Sequence, residues 1–102
     1  MSEFVTVGPA DDIDEGGVMA YEAEGRQVAV ARADGALYAF SDICTHRNCT
    51  LSTGELDGTE IECECHGSVF DIATGVVVNG PATDPIETFD VREEDGNVQV
   101  NL

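Results

Sequence analysis

All four cysteines and both histidines of this 102-residue chain fall in two short stretches: Cys44-Thr45-His46-Arg47-Asn48-Cys49 and Cys63-Glu64-Cys65-His66-Gly67-Ser68. Thiolate and imidazole are the side chains that bind borderline and soft transition metals. Concentrating every one of them in two loops, as Cys-x-His and Cys-x-x-His, points to a metal centre. The rest of the chain is then mostly scaffold.

Two kinds of centre suit Cys44, His46, Cys63 and His66. One is a structural zinc with two Cys and two His, although zinc sites more often draw each ligand pair from one residue type, Cys-x2-4-Cys and His-x3-5-His. The other is a pair of adjacent irons. Each loop supplies one thiolate and one imidazole, so both cysteines can serve one iron and both histidines the other, the ligand set of a Rieske [2Fe-2S] centre.

The two stretches resemble the cluster-binding loops of Rieske iron-sulfur proteins, Cys-x-His followed by Cys-x-x-His-Gly-Ser. Ser41-Asp42 before Cys44, Phe70-Asp71 after Ser68 and a downstream Gly80-Pro81 extend the likeness over essentially the whole chain. The resemblance implies one [2Fe-2S] cluster per chain. Cys44 and Cys63 would bind an inner iron, and His46 and His66 an outer iron near the surface. Two ferric ions, two sulfides, two thiolates and two neutral imidazoles sum to zero charge, against minus two with four thiolates. Adding an electron is therefore easier, and potentials of Rieske sites run from roughly −150 to +300 mV against about −400 mV for plant-type clusters. Ferric iron acidifies the outward ring N–H groups, so reduction is expected to raise their pKa and couple a proton to the electron at alkaline pH.

The same resemblance gives the remaining cysteines a role. Cys49 and Cys65 stand where small Rieske ferredoxins tend to be apolar and where respiratory Rieske proteins carry a disulfide, so a Cys49–Cys65 bridge is expected. Two free thiols packed as apolar cover are the alternative. Ser68 matches a serine that donates to a cluster sulfide, while Phe70 replaces a tyrosine that bonds a ligand thiolate. Glu62 and Glu64 flank Cys63 and should lower the potential, partly offset by Arg47. An intermediate potential is expected. Pro81 and Pro85 resemble the proline loop that covers one side of the cluster.

Around these loops, period-two alternation broken by Gly, Asp and Asn turns predicts an all-β sandwich or barrel with no helix. Strands are expected at Phe4–Val7, Val18–Glu22, Gln27–Arg32, Leu37–Phe40, Glu60–Glu62, Val69–Ile72, Val76–Val78, Ile86–Arg92 and Val98–Val100. In the third, Val28 and Val30 share one face, Ala29 and Ala31 the other. The stretch 51–58 reads as a connecting loop, and both metal loops as tips of hairpins. One domain over 1–102 is expected, with a cluster-binding subdomain at about 42–82.

Charge bounds the partners. There are 21 acidic residues against four arginines and no lysine, a net of −17. Such a chain repels nucleic acid and anionic membrane surfaces and should meet basic partners. The composition suits a salty cytoplasm, where molar salt shrinks the screening length to about 3 Å; steering towards a basic redox partner is the other reading. The N-terminus has no basic, long apolar or twin-arginine segment, and no stretch approaches a membrane span. A soluble cytoplasmic monomer is expected. No nucleophile–base pair or phosphate-cradling loop argues for catalysis. The functions that remain are a soluble one-electron carrier from a reductase to an oxygenase or other acceptor, the small Rieske subunit of a nitrite reductase-like or molybdenum oxidase-like complex, and a structural zinc module that binds other proteins.

Overall fold

The computed structural model describes residues 4–44, 49–65 and 67–102. Among the described residues, ten strands form two antiparallel sheets. Strands β1 (Phe4–Pro9), β2 (Val18–Ala23), β3 (Arg26–Ala33), β4 (Ala36–Ser41), β9 (Thr88–Glu94) and β10 (Asn97–Asn101) make the larger sheet, in the order β1-β10-β9-β4-β3-β2. Strands β5 (Glu55–Asp57), β6 (Glu60–Glu62), β7 (Val69–Asp71) and β8 (Val77–Asn79) make the smaller one in sequence order. The expected all-β class is what the chain adopts. Its only helical pieces among the described residues are the short 3-10 turns Ala10–Asp12 and Leu51–Thr53.

Local chemistry explains the hairpins. Glu24-Gly25, Asp34-Gly35 and Asp95-Gly96 each have positive φ at both residues, the requirement of the two-residue turn whose twist matches that of the strands it joins. The large sheet curls until Tyr21 of β2 lies against Gly8 of β1, where an added Cβ would stand 3.0 Å from the Tyr21 ring.

Strand β3 is buried on both faces, which the alternating Val and Ala pattern anticipates. Val28 and Val30 join Ala39, Val98 and Val100 in the core inside the curled sheet. Ala29 and Ala31 face the other way and pack with Phe40, Cys44, Leu51, Ile61, Cys63, Phe70 and Ile72. Small side chains on that face let the small sheet approach closely, so the thiols of the two loops sit in the second core.

Two expectations need correcting. The stretch 51–58 is no plain loop: it contains a 3-10 turn and strand β5, whose Leu56 pairs with Ile61. Asp57-Gly58 between alternating apolar residues is a hairpin signal that could have shown this. The first metal loop is likewise not a hairpin tip between two strands. It leaves β4, closes through an Ile43–Thr50 bridge and enters the 3-10 turn, because β4 already has β3 and β9 as neighbours.

Candidate metal centre

Each loop is pinched at its root by its own backbone. In the first, the Cys44 amide donates to the Cys49 carbonyl at 2.9 Å. In the second, which joins β6 to β7, the Cys63 amide donates to the Ser68 carbonyl at 2.7 Å and the Gly67 amide returns to the Cys63 carbonyl at 2.9 Å. Gly67 has φ 78°, a conformation any side chain would strain.

The four cysteines separate into two kinds. Cys49 and Cys65 are joined by a disulfide, with Cα atoms 6.5 Å apart. Cys44 and Cys63 stand outside that bridge and are buried, 2 % and 1 % exposed. The sulfurs of Cys49, Cys63 and Cys65 lie within 4.8 Å of one another, so the disulfide ties the two loops together beside the buried Cys63 thiol. His46 and His66, together with Arg47, lie outside the described residues.

Around the thiols the environment is apolar and tight. Phe70, Leu51 and Ile61 are fully buried in the same cluster. Ser68, also fully buried, accepts the Ala82 amide on Oγ at 3.0 Å, which clamps the segment after Pro81 onto the second loop. Ala82 and Ile86 are buried in the same core as Cys44 and Cys63. Two buried thiols in one apolar cluster, at the roots of two braced loops, fit a thiolate-ligated iron site. The disulfide has already withdrawn the other two sulfurs as ligands.

Asp42, which enters the sequence motif only as a flanking residue, and Ser52 are further functional candidates. Asp42 is 2 % exposed, and its carboxylate accepts the Ser52 amide at 2.7 Å and the Ser52 hydroxyl at 2.9 Å. A carboxylate two residues before a ligand loop was visible in the sequence; its burial and its partner were not.

The sequence matches the profile of the Rieske [2Fe-2S] domain over residues 3–90. The chain belongs to the Rieske [2Fe-2S] family. It is 38 % identical over 91 residues to the ferredoxin component of the naphthalene 1,2-dioxygenase system of Pseudomonas putida, covering 89 % of this chain and 88 % of that one. It is 32 % identical over 102 residues to the anthranilate 1,2-dioxygenase ferredoxin subunit of Burkholderia cepacia, covering 100 % and 94 %. Among solved structures, Sphingomonas yanoikuyae B1 ferredoxin superposes with a TM-score of 0.92 at 36 % identity over 98 % of this chain and 99 % of that one. The complex of reduced oxygenase and oxidized ferredoxin in carbazole 1,9a-dioxygenase gives 0.90 at 36 % identity, covering 96 % and 92 %. This Rieske protein carries one [2Fe-2S] cluster and is an electron carrier rather than an enzyme. That result sets aside the zinc module. No helix among the described residues is long and apolar enough to cross a membrane.

Proposed function

We propose that this chain is the cytoplasmic ferredoxin of an oxygenase system, taking single electrons from a reductase and delivering them to a Rieske-type oxygenase. The observation that carries the reading is the division of the cysteines: a disulfide holds Cys49 and Cys65, leaving Cys44 and Cys63 as buried thiols at the two loop roots. Those two thiolates, with His46 and His66, are the residues that would hold the cluster. The bound cluster supplies a site that gains and loses one electron.

The protein's own residues do the rest. The apolar cluster around Cys44 and Cys63 keeps both thiols buried, the disulfide holds the loops together, and the Ser68 hydroxyl oxygen holds the covering segment at Ala82. Fixed loops change little between oxidation states, which favours rapid electron exchange by limiting reorganisation. Docking beside the ligands His46 and His66 follows from the same ligand set, and a basic complement on the partner from the net charge of −17.

The experiment is EPR of the dithionite-reduced protein with a potentiometric titration, followed by turnover with a purified aromatic-ring dioxygenase and its reductase. A one-electron rhombic Rieske signal and product formation that depends on this chain support the reading. A stable stoichiometric complex with a larger oxidoreductase, and no turnover as a free carrier, would favour the fixed-subunit alternative.

A further inference from the structure

Burying a carboxylate is costly unless every lone pair of importance is met, and Asp42 meets that cost in an unusual place. It stands at the root of the first loop, and its two oxygens accept separate donors from one residue, the Ser52 amide and the Ser52 hydroxyl. Taking two donors on two oxygens is the use of an ionised carboxylate, and such bonds are stronger than neutral ones. The Asp42 carbonyl also accepts the Leu51 amide at 2.8 Å, and its own amide donates to Gln27 of β3 at 3.1 Å. Asp42 thus fastens the 3-10 turn Leu51–Thr53 to the large sheet.

That turn touches the second loop as well. Gly54, whose amide closes the turn on the Leu51 carbonyl at 2.9 Å, lies so close to β6 that an added Cβ would be 1.8 Å from the Glu62 carbonyl oxygen. Glu62 immediately precedes Cys63. Leu51 is fully buried in the core that holds Cys44 and Cys63. The turn is therefore a wedge between the two roots, gripped on one side by Asp42 and pressed on the other against Glu62. Among the described residues the arginine ion pairs go to Glu87, Glu93 and Glu94, so none neutralises Asp42.

We propose that Asp42 is a positioning residue for the iron–sulfur centre, setting the two cluster loops against each other through Ser52 and holding the midpoint potential down with a fixed buried charge. This rests on the cluster lying at Cys44 and Cys63. A negative charge beside a redox centre disfavours the added electron, so two effects separate by substitution. Asp42→Asn keeps the shape, since its amide oxygen accepts from the Ser52 amide and its nitrogen donates to the Ser52 hydroxyl, but it removes the charge. Ser52→Ala keeps the charge and loses one bond. Asp42→Ala loses both.

The test measures midpoint potential, the rate of cluster loss to a chelator, and, in metal-free protein, the rate at which dithiothreitol reduces Cys49–Cys65. Asp42→Asn is expected to shift the equilibrium with a reference dye at least threefold towards the reduced cluster, about 28 mV at 59 mV per decade, with both rates within twofold of wild type. Ser52→Ala is expected to leave the midpoint in place and to speed both rates about threefold or more. Asp42→Ala should speed them about tenfold. An unmoved midpoint in Asp42→Asn, or unmoved rates in Ser52→Ala, overturns the proposal even if Asp42→Ala does not fold. A wild-type protein that binds no cluster would defeat the ligand assignment instead, while the disulfide rates would still report whether Asp42 sets the loops.

Discussion

Removing the Cys49–Cys65 bridge is the perturbation whose size can be worked most directly. The bridge closes a loop between residues 16 apart in sequence. In the chain-entropy treatment, closure of a loop of that length restricts the unfolded chain by about 10 cal/mol/K, or about 3 kcal/mol at 25 °C. The two ends differ in their packing: Cys49 lies partly buried against the core and Cys65 is exposed, so Cys49→Ala with Cys65→Ser leaves no polar group in the core. About 3 kcal/mol is a large share of the stability of a domain this size and corresponds to a fall in Tm of about 12 °C or more. The measurement belongs on metal-free protein, where no cluster links the loops, by thermal melts with and without reductant. Wild type should fall to the level of the double variant when reduced, and the variant should not respond. Unreduced wild type should offer two alkylatable cysteines on unfolding, Cys44 and Cys63. A Tm difference below about 3 °C, or four alkylated cysteines, refutes the bridge as the brace of these loops.

The outer face of the small sheet sets Glu60 directly across from Asp57 on one side and Asp71 on the other, so Glu60→Gln should stabilise by about 0.2–1 kcal/mol in denaturant titrations at low salt, a gain that fades near 1 M salt. Gly54→Ala drives a Cβ to 1.8 Å from a backbone oxygen and should cost about 3 kcal/mol or more, seen as a lowered urea midpoint. The Tyr21 hydroxyl is buried with no hydrogen-bond partner among the described residues, so Tyr21→Phe should stabilise by about 1 kcal/mol. Burial, and secondarily Asp12, hold the Tyr21 pKa above 10.0; the unfolded chain therefore loses this proton first, wild-type stability falls as pH rises through that value, and the Phe variant lacks that part of the fall. Phe70→Tyr puts a hydroxyl into the core shared by Cys44 and Cys63 and should raise the midpoint potential; an unchanged midpoint with lower stability would show that the hydroxyl finds no sulfur.

What could be read in advance was whatever is encoded locally. Glu24-Gly25, Asp34-Gly35 and Asp95-Gly96 are turn signals in themselves, and the Val28/Val30 and Ala29/Ala31 faces follow from the pleat of a single strand. The ligand candidates were legible because Cys and His are scarce and chemically specific. Strand β5 escaped because Glu55-Leu56-Asp57 is short and acidic, with low strand propensity; it is a strand because Leu56 finds Ile61 and the core beneath it. The alternation puts the start of β9 at Ile86, whereas the strand begins at Thr88; Ile86 is buried in the core and donates to the Gly75 carbonyl at 2.9 Å. The pairing of Asp42 with Ser52 is silent for a related reason: each is an ordinary polar residue until the fold brings ten residues of separation to hydrogen-bond distance.

The charges of this Rieske protein bear on how it meets its partners. Arg26 pairs with Glu87 and lies over the Phe89 ring at 4.8 Å, Arg92 pairs with Glu94 and lies over Phe4 at 4.1 Å, and Arg32 donates to the Ile13 and Ala10 carbonyls at 2.8 and 3.2 Å. The described cations are thus engaged within the fold, and the excess carboxylates set the long-range field. With a net of −17, that field attracts a basic surface and speeds encounter. Selection must then come from short-range contact around the cluster loops, where the bridge and the Asp42–Ser52 grip hold the geometry. Raising salt should accordingly slow association with a basic acceptor while leaving the electron-transfer step within the complex unchanged, because screening acts on the approach and not on loops fixed by hydrogen bonds and a disulfide.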